Sequence, residues 1–199
     1  MKIKILTFAL FAAAACNPKE KENHDMDHME HEMESESHEM HEQKPTETPK
    51  SPRSSAMAMT GGNHIHIDYS APSARGRQIF GGLVAYNEVW VTGAHKATTI
   101  KFDKAIISIG KEIMPGKYGL FTIPGKEEWT VILSKDWDMH LADDYTEAND
   151  LIRIKVKPET LKDTVEALTF EVKEKDAKTT TISMSWDKTK ISFDVVNAE

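Results

Sequence analysis

The chemistry-bearing residues of this chain crowd into one segment, HDMDHMEHEMESESHEMHE, from His24 to Glu42. Five of the nine histidines and four of the ten methionines fall in these nineteen positions, and nearly all the rest are acidic. His24, His28, His31 and His38 are separated by four, three and seven residues. On a helix they would fall within roughly 80° of one another. Met26, Met29, Met33 and Met40 would cluster within about 60° on the opposite side, and His41 lies off the histidine stripe. Neutral imidazole suits Zn²⁺, Cu(II) and Ni²⁺, whereas thioether sulfur selects Cu(I). No helix is required, because a flexible segment can gather its ligands as the metal arrives. A solubilising spacer would read as Glu, Lys, Ser and Pro, much as the Gln, Lys, Pro, Thr and Glu of residues 43–50 do. The expected ligand is therefore a soft or borderline metal ion. Copper is favoured over zinc, since zinc gains little from thioethers.

Further along, His64 and His66 flank Ile65 and point to one face of a strand. Met57 and Met59 precede them at the same alternating spacing. Two imidazoles do not make a metal site, and the plainer reading is two exposed histidines on an edge strand. His95 and His140 are the remaining histidines of this region, with His95 the candidate third ligand. Arg75-Gly-Arg77 could present guanidinium groups to a carboxylate or phosphate, or pair structurally with Asp68 or Glu88. Tyr69, Trp90, Tyr118, Trp129 and Trp137 are candidates for a binding groove, but Trp90, Trp129 and Trp186 read better as core. Asp143, Asp144 and Glu147 form an acidic loop without EF-hand spacing. The chain has no G-x-S-x-G, no H-E-x-x-H and no phosphate loop, so no named reaction is supported.

What positions these residues begins with an export signal over residues 1–15. Lys2 and Lys4 form a basic start, and the apolar run from Ile5 to Phe11 is too short to span a membrane. Ala13, Ala14 and Ala15 precede Cys16 in the manner of a lipobox, whose cysteine is acylated and becomes the mature N-terminus. Cleavage after an A-x-A site would instead leave a free thiol. Cys16 is the only cysteine, so it can form no internal disulfide. Acylation there would anchor the protein stably to a membrane of the bacterial cell envelope. Residues 16–50 are expected to be a disordered tail ending in the proline-spaced QKPTETPKSP. As a coil, that tail would reach roughly 30–35 Å on average. From Asn17 to Lys50, eleven acids stand against four lysines, a net charge of −7. Beyond Lys50 the balance is twenty-one acids against nineteen bases. Nucleic acid and anionic lipid are poor partners for such a chain, and cations are good ones.

Residues 51–199 read as a β domain. HIHIDYS, EVWVTG, TTIKFD, AIISIG, YGLFTIP, EWTVILS, LIRIKVKP, EALTFEVKE, TTTISMSW and KISFDVV all have strand character. Pro115-Gly116 and Pro124-Gly125 mark turns, and Asp187-Lys188 is expected to close a final hairpin. DDYTEANDL reads as a helical turn or a loop. About ten strands without a long helix predict an all-β fold, an antiparallel β-sandwich or partly closed barrel.

Three stretches carry a family resemblance. They are IDYSAPSARGRQIFGGLVAYNEVWVTGAHKATTI, MPGKYGLFTIPGKEEWTVILSKD and MSWDKTKISFDV, together with Ser51-Pro52-Arg53. Over about residues 51–197 the chain resembles the domain of unknown function 2911 family. The resemblance implies an exported, mostly β domain, often on lipoproteins, and implies no activity. The family loop usually reads close to EVWRTGANEAT, where this chain has Val91, His95 and Lys96. The His/Met-rich segment lies outside the shared region. Two expectations follow. In one, an envelope-anchored lipoprotein binds copper through its tail; in the other, a β-sandwich module binds a glycan, peptide, small molecule or envelope protein and the tail is a charged tether.

Overall fold

The computed structural model describes residues 50–199. The signal sequence, Cys16 and the segment from His24 to His41 lie outside the described residues. No helix among the described residues is long and apolar enough to cross a membrane.

Ten strands make up the described fold, all paired antiparallel. They are β1 (Arg53–Thr60), β2 (Asn63–Ser70), β3 (Thr98–Phe102), β4 (Ile106–Ser108), β5 (Lys111–Ile113), β6 (Gly116–Ile123), β7 (Trp129–Ser134), β8 (Asp150–Val156), β9 (Glu159–Glu174) and β10 (Thr179–Asn197). One sheet has the order β1-β2-β3-β6-β7-β8 and the other β5-β4-β10-β9. The expected all-β fold is a two-sheet sandwich and does not close into a barrel.

Alternation explains the main core. Ile65 and Ile67 of β2, Ile100 and Phe102 of β3 and Trp129, Val131 and Leu133 of β7 face inward. Leu168, Phe170, Ile182, Met184, Trp186 and Val195 meet them from the other sheet. Each such side chain, fully buried, contributes about 1.5–3 kcal/mol. β7 departs from alternation, since WTVILS is buried at every position. Its outward Ile132 packs with Phe121, Val91 and Ala97 in a second, smaller core on the outer face. The strand therefore has no wet side.

Two expectations need correcting, and one strand carries little local signal. EVWVTG is not a strand, because Thr92 turns left-handed at φ 52° and the Trp90 indole N–H donates to Gly93 O at 2.9 Å. Only Trp90 bridges to the sheet, opposite Thr122. Asp187-Lys188 closes no hairpin. Asp187, at φ 52°, is the centre of a bulge within one 19-residue strand, and the long β9 supplies partners on both sides of it. Finally, RSSAMAMT pairs fully with β2 although its Ser and Ala content gives a weak strand signal. DDYTEANDL contains a single 3₁₀ turn, Glu147–Asn149.

The β1–β2 hairpin turns on Gly61 and Gly62, at φ 55° and 74°. Two positive-φ residues between Thr60 and Asn63 make the tight connection whose twist suits paired strands. A Cβ on Gly61 would stand 2.8 Å from Ala177 O and from Asn197 Nδ2, so the turn also requires glycine for space. Asn63 is fully buried beside it. Its Oδ1 accepts from the backbone N–H groups of Asp103 (3.0 Å) and Lys104 (2.8 Å). Its Nδ2 donates to Lys104 O (3.3 Å) and Asn197 Oδ1 (2.9 Å), and Asn197 Nδ2 donates to Thr60 O at 2.7 Å. All four hydrogen-bonding positions of the Asn63 amide are used. Asn63→Ala should lower the unfolding free energy by about 2–4 kcal/mol, because it strands several buried partners at once. The urea midpoint measures this, and an unchanged midpoint would show the clasp to be idle.

Candidate functional site

The outer face of the six-stranded sheet has two unlike halves. Over β6 and β7, residues of the 85–97 and 135–149 segments cover it and form the second core. Over β1 and β2 it presents Met57, Met59, His64 and His66. The register places Met57 opposite His66 and Met59 opposite His64. Opposed residues of an antiparallel pair have Cβ atoms about 4.5–5.5 Å apart on the same face. Met57 and Met59 are 52% and 60% exposed, whereas the two histidines are half-buried.

The imidazole of His66 is held from the side, and that of His64 lies near a carboxylate without a hydrogen bond. His66 Nε2 lies 3.1 Å from Asp68 Oδ1, and a carboxylate only accepts, so this nitrogen carries the proton. His64 Nδ1 faces Asp103 Oδ2 at 3.9 Å. The two ring centroids are 5.6 Å apart, edge to face. Lys101, opposite His66 on β3, gives its ammonium to Asp103 at 2.8 Å. That hydrogen bond keeps the Asp103 carboxyl below the usual carboxylate range against a smaller desolvation effect.

His95 goes elsewhere. Its backbone is left-handed at φ 65°, its carbonyl accepts from Leu141 N at 2.8 Å, and its ring lies 6.2 Å from that of His140. Among the described residues no three of His, Cys, Asp and Glu gather as a cation cage, so His64, His66 and His95 form no trio. Of the acidic loop, Glu147 is engaged, its Oε1 meeting Arg153 Nη1 at 3.2 Å. The arginines at 75 and 77 pair with neither Asp68 nor Glu88. Arg77 donates to Ala74 O (3.1 Å) and Ser73 O (2.7 Å), closing its own turn. Arg75 donates its backbone N–H to Glu166 Oε1 and its guanidinium to Lys50 O.

Of the tryptophans, Trp129 and Trp186 are fully buried, as expected for core. Trp90 is half-buried and stacks on Trp186 at 5.8 Å and 20°. Together with Pro72, Leu83, Ala94, His95 and Leu141 they line an apolar cleft of about 330 Å³. Gly93 belongs to this wall because a Cβ there would sit 2.9 Å from Thr98 Oγ1. Sequence reasoning named Trp90 and His95 separately but missed the cleft, because the loops that join them have no periodicity. Trp137 is exposed under Lys117 Nζ, 4.4 Å from its ring centroid.

A family model described as "Protein of unknown function (DUF2911)" matches residues 51–195. The chain belongs to this family. No curated protein and no solved structure matches the chain. The matched DUF2911 region contains both the methionine–histidine face and the apolar cleft, and it excludes the segment from His24 to His41. Val91 is buried in the second core beside Phe121 and Ile132. An arginine would have to bury its charge there or leave that core.

The loop that covers β7 is tied down by one polar network. Tyr145 Oη donates to Asp150 Oδ2 at 2.5 Å, and Arg153 Nε donates to the same oxygen at 2.8 Å. Arg153 Nη2 reaches Tyr145 Oη at 2.9 Å. Burial, then the bond to Asp150, pushes the Tyr145 phenol up to about 12. The raised value means that the folded state holds this proton more tightly than the unfolded chain. Its stabilising contribution is therefore complete below the ordinary value of 10.0 and is lost as pH rises toward about 12. Absorbance titration near 295 nm should show a late phenolate step that disappears in Tyr145→Phe. If all phenols ionise together near pH 10, the network does not hold this proton.

Proposed function

We propose that the protein is a lipid-anchored component of the bacterial cell envelope that binds copper through its His/Met-rich tail. The observation that carries this reading is the concentration of five histidines and four methionines in nineteen positions that hold no Phe, Trp, Tyr, Val or Ile. The acyl chains on Cys16 hold the protein at a membrane. The tail captures Cu(I) through thioethers and Cu(II) or Zn²⁺ through imidazoles. The carboxylates around them add attraction for any cation. The β domain is the fixed body to which this collector is tethered.

Two experiments test the two halves of the proposal. The mature protein should begin at an acylated Cys16 and partition into detergent, and Cys16→Ser should release it or leave the precursor uncleaved. Mass spectrometry that finds an unmodified thiol at the mature N-terminus would refute the anchor. A peptide covering residues 20–43 should still bind Cu(I) at pH 5. By then its imidazoles are mostly protonated, given an ordinary pKa near ~6.5, while thioethers do not titrate. Zn²⁺ binding should be lost over that range, and changing the four methionines to Leu should remove only the acid-resistant Cu(I) binding. Equal loss of Cu(I) and Zn²⁺ at pH 5 would sink the division between the two ligand sets.

One observation favours a second reading. The cleft between Trp90, Trp186 and Leu141 has the volume and apolar lining of a small-molecule site. A DUF2911 domain acting as a binding module would use it and keep its function when residues 23–42 are deleted. The copper reading requires that deletion to abolish function.

A further inference from the structure

We infer that the β domain carries its own soft-metal site, a thioether–imidazole quartet of Met57, Met59, His64 and His66 that takes Cu(I). This rests on the copper reading only for the choice of metal. The geometry comes from the hairpin. The Gly61-Gly62 turn sets the register, so each methionine stands directly across from a histidine on the outer face. A slip of one residue would send one of the two sets to the opposite face.

The arrangement has the features of a ligand set rather than of a casual surface. An edge strand is ordinarily protected by charge or proline, yet β1 shows solvent two methionines on the face of the two histidines. Each imidazole has one nitrogen directed at a carboxylate. His66 Nε2 is occupied by Asp68 and His64 Nδ1 faces Asp103, which leaves His66 Nδ1 and His64 Nε2 as the donors. A carboxylate hydrogen-bonded to an imidazole, as Asp68 is to His66, is the usual outer partner of metal-bound histidine. Metal–nitrogen bonds near 2 Å to both rings would place the centroids about 6 Å apart or less. The observed 5.6 Å meets that requirement with little movement. The flexible thioethers opposite can then complete three- or four-coordination, and sulfur donors favour Cu(I) over Zn²⁺.

The test uses the whole mature chain with its nine tail ligands replaced, His by Asn and Met by Leu. Ag(I), d10 like Cu(I) but not oxidised by air, serves as its stand-in. One equivalent should shift the ε-methyl signals of Met57 and Met59 together with the ring signals of His64 and His66. Met114, equally exposed at 63% but outside the β1–β2 hairpin, should stay in place. Met57→Leu with Met59→Leu should weaken Ag(I) and Cu(I) binding by roughly tenfold or more, as loss of direct ligands demands. Both positions are exposed, so the fold survives the change. The site does not exist if Met57 and Met59 fail to shift, or shift no more than Met114. It is a histidine pair alone if the double variant binds as tightly as its parent, and the quartet is then refuted. Tail binding is judged separately: it fails if the unaltered chain holds no more Ag(I) than the tail-substituted one.

Discussion

The buried amide of Asn63 is the constraint on which the rest of the sandwich depends. It ties the start of β2 to the turn between β3 and β4 and to the end of β10, so one side chain joins both sheets. In an apolar interior this is stable only because every polar position finds a partner. With the hairpin held there, Ile65 and Ile67 must face the core, and His64, His66 and Asp68 must face out. The composition of the outer face is thus a consequence of one polar clasp and two glycines.

Much of the architecture was legible because strand periodicity is a local property. β2, β3, β6, β7 and β8 lie where apolar, β-branched and aromatic residues accumulate between turn residues. What escaped was set by tertiary context. β1 has Ser and Ala where a strand would show Val or Ile, and it pairs because the diglycine turn folds it back on β2. EVWVTG has the composition of a strand but must bend at Thr92 to bring Trp90 over Trp186. The bulge at Asp187 looked like a turn because a left-handed Asp suits both, and only the length of β9 decides between them. Of the candidate domain ligands, alternation paired His64 with His66 correctly. No local signal could tell that His95 would lie against His140 instead.

The outer sheet face shows how the domain divides stability from exposed chemistry. One half is roofed by loops whose anchor is the network of Tyr145, Asp150 and Arg153, and it contains Phe121 and Ile132 at full burial. The other half is left open, with thioethers and imidazoles where a roof would otherwise rest. A roof over β1 and β2 would have buried His64 and His66 together with their carboxylate partners, which is costly. The same sheet therefore serves as core wall and as display surface without a change of fold.

The clasp also determines when the domain can be completed. Asn63 and Asn197 are 134 residues apart, at the start of β2 and the end of β10. A ribosome making this chain produces Asn197 long after Asn63. Until it emerges, Asn63 has no Asn197 to hold and β10 lacks the end that pairs with β4. Contacts this distant in sequence form slowly. A lock split between the β1–β2 hairpin and the end of β10 keeps either sheet from being completed without the other.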